Sequence, residues 1–177
     1  MQTKRILIPV DLDDVKSSLD ALHFVEGMAK EFSVEATLLN VIHVNVAVLD
    51  RRLEDELRAE RKKQLHDLAR VWLSQCARLS FRVRTGCPYE EILAETISSR
   101  CELIILTPPK RSRSPFRSRT AERVVREAPC FTLVLPRAWK IALEQYHEVT
   151  RPSRNKPARA LAVESPFTVG SADSVYQ

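Results

Sequence analysis

Short unbroken apolar runs alternate along this chain with longer stretches whose apolar residues recur at helical spacing. Ile6-Leu7-Ile8-Pro9-Val10 is too short for a helix and has no polar face, as expected of a strand buried on both sides. Asp13 or Asp14 then stands where a helix N-cap belongs. Val15, Leu19, Leu22, Val25, Met28, Ala29 and Phe32 predict a helix ending near Ser33. Residues 35–44 form a second buried strand around Leu38-Leu39-Asn40-Val41-Ile42. A long charged helix is predicted from about Asp50 to Ala77, with Leu53, Leu57, Leu65, Leu68, Trp72 and Cys76 as its stripe. Arg61 interrupts that stripe, so the first half is expected to project from the body.

Leu79-Ser80-Phe81-Arg82-Val83-Arg84 alternates with period two, the pattern of a strand with one wet face. Gly86-Cys87-Pro88 opens a further helix, with proline where the first helical residue tolerates it. Its inner face is predicted to be Ile92, Leu93, Thr96 and Ile97. Leu103–Leu106 is a fourth strand, 118–127 a short helix ending before Pro129, and Phe131–Leu135 a fifth strand. Strand and helix thus alternate through residues 4–136. Parallel strands need crossovers, so the alternation calls for an α/β fold with helices on both faces of a parallel sheet. Ligands of such sheets bind beyond the carboxyl ends of the strands, where strand order reverses. The segments after the first strand (11–14) and the fourth (107–117) are the places to look. Residues 1–137 form the expected domain. Residues 138–177, after a short helical stretch at Trp139–Tyr146, read as a largely disordered C-terminal extension.

Composition narrows the classes. Hydrophobic residues make up 44% and charged residues 29% of the 177, as in globular proteins, and no apolar run suits a membrane span. The amino terminus enters a strand directly, without a signal-like segment, so a cytoplasmic location is expected. Cys76, Cys87, Cys101 and Cys130 include no C-x-x-C pair and read as buried small hydrophobes. The four histidines are equally scattered, and no metal site is assigned. Catalysis is not expected: there is no G-x-S-x-G, no P-loop, and no nucleophile paired with His43. Asp11, Asp13 and Asp14 suit a metal held with a nucleotide, but capping explains them more simply.

Several segments resemble the universal stress protein family: Ile6-Leu7-Ile8-Pro9-Val10-Asp11, Leu38–Ile42, Gly86-Cys-Pro-Tyr-Glu-Glu-Ile92, and Ala121–Val134. The resemblance covers roughly residues 3–136. It implies a three-layer α/β/α sandwich on a five-stranded parallel sheet of order 3-2-1-4-5, the adenine nucleotide alpha hydrolase-like arrangement. It also implies a homodimer, often paired through the last strand, and in one branch bound ATP. That branch follows its fourth strand with G-x-x-G, nine residues, then G and Ser or Thr, so that backbone amides close around phosphate oxygens. Here those positions fall on Thr107, Lys110, Ser118 and Arg119, so all three glycines are replaced, and the loop is two residues short. Pro108 and Pro109 have no N–H to offer. Asp11, where the family contacts the nucleoside, and Val41, which lines its adenine pocket, remain.

The candidate ligand positions are therefore Val10, Asp11, Val41, Thr107, Lys110, Ser118 and Arg119. In place of the glycines stand five cations within residues 110–119: Lys110, Arg111, Arg113, Arg117 and Arg119. They suit a solvated loop, an anion site built from side chains, or a polyanion contact. With Phe116 as the one aromatic there, nucleic acid is not expected. Two functions follow. One is a non-catalytic stress-response or regulatory protein, without the standard ATP loop or any cofactor, acting on protein partners through helix 50–77 and the tail. The other is an adenine-nucleotide binding module, taking ATP or AMP through Asp11, Val41 and the basic loop.

Overall fold

Strand β1 (Lys4–Pro9) sits in the middle of the sheet, where Ile6, Leu7 and Ile8 are all at most 1% exposed. Successive strand residues face opposite sides, so such a run is stable only with cover on both faces. Each aliphatic side chain contributes about 1.5–3 kcal/mol by leaving water. The computed structural model describes residues 3–43, 50–107 and 115–136, with side chains in the last segment from Arg119 onward. The stretch 108–114 that includes Lys110, and everything from 137 on, lie outside the described residues.

β1 is followed by α1 (Val15–Glu31), β2 (Val34–Ile42), α2 (Arg51–Trp72), β3 (Arg78–Thr85), α3 (Pro88–Ser98), β4 (Leu103–Leu106), α4 (Pro115–Glu127) and β5 (Phe131–Val134). All pairings are parallel and the order is β3-β2-β1-β4-β5, as the resemblance implied. The fold is a three-layer α/β/α sandwich. One apolar core joins Ile6, Ile8, Leu38 and Ile105 to Leu22 and Val25 of α1 and Leu65 and Ala69 of α2. The other joins Leu7, Leu39, Ile104 and Leu106 to Ile92 of α3 and Val124 of α4.

Local expectations are corrected at several points. Asp14, not Asp13, is the N-cap of α1, and it makes no side-chain cap; instead Ser17 Oγ donates to the Asp14 carbonyl at 2.8 Å. The buried face of α1 is Ser17, Ser18, Ala21, Leu22 and Val25, while Phe32 is half exposed. α2 stops at Trp72 rather than Ala77. Its first half is tied to the body rather than projecting: Arg58 Nη2 donates to Thr85 Oγ1 at 3.0 Å, and Arg61 pairs with Asp13 at 2.8 Å. On α3, Ile97 is two-thirds exposed and Glu95 is buried in its place. The Glu95 carboxylate meets Arg84 Nη2 at 2.7 Å and Arg82 Nε at 3.6 Å, so the polar face of β3 is partly covered by an ion pair.

Candidate functional site

A single β-turn gathers the acidic end of the site. Beyond β1, Val10 stays in the sheet through its N–H bond to Leu39 O at 2.7 Å. The chain then turns: Asp11 Oδ1 accepts from Asp13 N–H at 3.0 Å, and Asp14 N–H reaches Asp11 O at 3.2 Å. Asp11 N–H donates to Ser18 Oγ at 3.1 Å, which pins the turn to α1. Beside it, buried Asn40 reaches across from β2 and donates through Nδ2 to Val10 O at 2.9 Å. Asp11 thus does the work expected of a turn residue while its side chain stands at the strand's carboxyl end.

A second wall comes from the β3–α3 junction. Gly86 has φ +150°, and a Cβ there would meet Glu91 Oε1 at 2.9 Å, so only glycine fits without displacement. Its N–H bonds Ile42 O at 3.1 Å, and His43 Nδ1 lies 3.3 Å from its carbonyl. Pro88 then starts α3 and delivers Tyr89 toward the cavity. Tyr89 Oη donates to Glu90 at 2.5 Å, and that bond to a carboxylate raises the phenol's pKa.

The third wall is α4. Arg119 and Arg123 lie one turn apart and line the same space. Arg123 Cζ sits 3.6 Å from the centroid of the Tyr89 ring, a cation–π stack. Its Nε is buried, 3.6 Å from Glu127 Oε1, with no hydrogen-bond partner among the described residues.

Together these elements enclose a cleft of about 540 Å³ at the carboxyl ends of β1, β2 and β4. This is where strand order reverses, since β1 continues to β2 on one side and has β4 on the other. Leu39, Val41, Ile92 and Leu106 supply apolar lining; Asp11 and Asp13 supply negative charge, Arg119 and Arg123 positive. The volume falls in the range of small-molecule sites.

A model of the universal stress protein family matches residues 2–136. The chain belongs to that family. Solved structures agree in fold. The universal stress protein UspA from Lactobacillus plantarum superposes with a TM-score of 0.59 at 21% identity, over 76% of this chain and 99% of its own. A universal stress protein in complex with cAMP gives 0.56 at 12% identity, over 76% and 97%. One from Archaeoglobus fulgidus in complex with dAMP gives 0.54 at 13% identity, over 75% and 97%.

Of the positions anticipated from sequence, Val10, Asp11, Val41, Thr107 and Arg119 all line the cleft. Lys110 lies outside the described residues, as does the side chain of Ser118. The helix expected from 118 starts at Pro115, which makes Ser118 and Arg119 the fourth and fifth residues of α4. Asn40, Tyr89 and Arg123 also line the cleft and were not anticipated. Tyr89 lay in view within the family-like Gly86–Ile92 segment, and Arg123 is spaced i, i+4 from Arg119. Among the described residues no helix is long and apolar enough to cross a membrane.

Proposed function

We propose that this universal stress protein is a non-catalytic regulatory module whose cleft takes an adenine nucleotide with one phosphate, held by side chains in place of the family's glycine loop. The observation that carries this reading is the cleft, with apolar lining at Val41 and Ile92, acidic residues at the β1–α1 turn and arginines on α4. Neutral lining suits a base, Asp11 suits ribose hydroxyls as an acceptor, and guanidinium suits phosphate. Two relatives of the same fold are described with cAMP and dAMP, each an adenine nucleotide with a single phosphate.

Replacement of the backbone nest is supported by sequence and helix position together. Pro108 and Pro109 lack donors, and Gly is absent from 107–119. A helix leaves only about its first four N–H groups free. In α4, Pro115 has no N–H, Ser118 at the fourth place is the last of these four, and Arg119 at the fifth is past them, so few amides are left to point outward. A phosphate chain spread along amides is therefore disfavoured, and one phosphate near the guanidinium groups is favoured.

A thermal-shift titration of the full chain with AMP, ATP and adenosine tests the reading. A ligand that binds only the native state raises the melting temperature by mass action. AMP should raise it at submillimolar concentration, more than ATP does at equal concentration. No shift with any adenine ligand at millimolar concentration would refute it. Self-association through β5 is part of the same reading. It is supported by an edge strand whose Phe131 is 84% exposed beside exposed Val134.

A further inference from the structure

The phosphate-binding element of the cleft can be narrowed to particular side chains. α3 and α4 meet beside it, and their contact includes a stacked pair rather than an ion pair: the Arg123 guanidinium lies 3.6 Å over the Tyr89 ring. A free arginine side chain samples many rotamers, and ordering it on binding costs affinity. Stacking removes that cost beforehand by fixing the plane of the fork. Fixed forks are what bidentate recognition of phosphate requires, and lysine cannot reproduce them.

The pairing of Arg123 is incomplete within the described protein. Glu127, its ion-pair partner, is 3.6 Å from Nε, beyond hydrogen-bond reach, and Nε is buried without a partner. Both Tyr89 and Arg123 line the cleft, so this cation faces the space a ligand would fill. Arg119, one turn earlier on α4, lines it too.

We infer that Arg123, held flat by Tyr89 and assisted by Arg119, is the phosphate-recognition residue of this cleft, which makes the site selective for a nucleoside monophosphate over the bare nucleoside. The inference rests on the adenine-nucleotide reading given above. Arg123 contacts the ligand, and Tyr89 acts through Arg123 as a positioning residue.

Isothermal titration of the full-length protein with AMP and with adenosine tests it, using wild type, Arg123→Gln, Arg123→Lys, Tyr89→Leu and Tyr89→Phe. Wild type should bind AMP roughly 10–100-fold more tightly than adenosine. Arg123→Gln should erase that preference and leave adenosine affinity within about threefold, a charge-specific loss. Arg123→Lys should lose part of the preference, because charge remains without the fork. Tyr89→Leu should weaken AMP, and Tyr89→Phe should restore it, because the ring and not the hydroxyl carries the stack.

If wild type prefers AMP and Arg123→Gln keeps the preference, this inference is overturned while the adenine-nucleotide reading stands. If Arg123→Gln weakens adenosine as much as AMP, Arg123 is a structural residue and the inference is again wrong. If wild type binds adenosine and AMP equally, it fails without any variant. If wild type binds neither, both readings fall together.

Discussion

Replacing Glu95 by leucine should destabilise the domain by about 2 kcal/mol, even though the substitution puts an apolar side chain in a buried position. The Glu95 side chain is 3% exposed and meets Arg84 at 2.7 Å and Arg82 at 3.6 Å. Removing one member of a buried pair ordinarily costs roughly 3–5 kcal/mol, because the other charge is stranded. Here Arg84 is one-third exposed and Arg82 more than half, so both recover hydration and the loss shrinks. Glu95 also sits near the carboxyl end of α3, where the helix dipole disfavours an anion, so the arginines are what make it tolerable there. Reciprocally, its carboxylate raises the pKa of Arg84.

In a domain of this size, 2 kcal/mol corresponds to a fall in melting temperature of about 8 °C. Urea denaturation would show a lower midpoint at unchanged slope. The double variant Glu95→Leu with Arg84→Met should recover at least half of the loss, since no charge is then stranded. Glu102→Gln is the control. Its partners Lys4 and Arg5 are 3.9 and 3.4 Å away and all three are partly exposed, so less than ~1 kcal/mol is expected. If Glu95→Leu melts within about 2 °C of wild type, the ion pair does not hold α3 on the sheet and the electrostatic reasoning is wrong.

Other outcomes follow from single contacts. Gly86→Ala should cost about 1–3 kcal/mol in thermal melts, since alanine at φ +150° is strained and its Cβ would press on Glu91; an unchanged melting temperature would contradict the turn geometry. Burial pushes the Cys101 thiol up to about 12 and the Cys76 thiol up to about 11, so both should alkylate slowly with iodoacetamide at pH 8, and rapid modification of Cys101 in the native protein would exclude the buried placement. The same shifts give a sign for alkaline stability: above pH ~9 unfolded chains release thiol protons that the folded state keeps, so stability falls as pH rises from about 9, through about 11 for Cys76 and about 12 for Cys101. Arg61→Ala should cost under ~1 kcal/mol, less so at high salt, because its partner Asp13 is 60% exposed.

Much of this architecture is legible in the chain because period and chemistry agree. Ile6-Leu7-Ile8 has no polar alternative, and Gly86-Cys87-Pro88 permits little but a turn into a helix. Strand order is different in kind: periodicity says that β1 is central only insofar as it is apolar on both sides, and the order itself came from family likeness. Helix faces misled where a charge was buried. Ile97 outranks Glu95 in any apolar count, yet Arg82 and Arg84, eleven to thirteen residues earlier, make Glu95 the buried one. Through-space neighbours left no local trace at all. Cys101 and Cys130 are 29 residues apart in sequence, yet their Sγ atoms lie 3.9 Å apart at the entries of β4 and β5. The Tyr89–Arg123 stack likewise joins two helices that no spacing rule connects.

The most direct test of the nucleotide cleft is a crystal structure of the full chain grown with AMP. The base should lie against Val41 and Ile92, with its phosphate within hydrogen-bond distance of the Arg123 or Arg119 guanidinium. A phosphate gripped instead by main-chain amides between Thr107 and Arg119, or AMP bound elsewhere on the molecule with the cleft unoccupied, would contradict the side-chain mode of recognition.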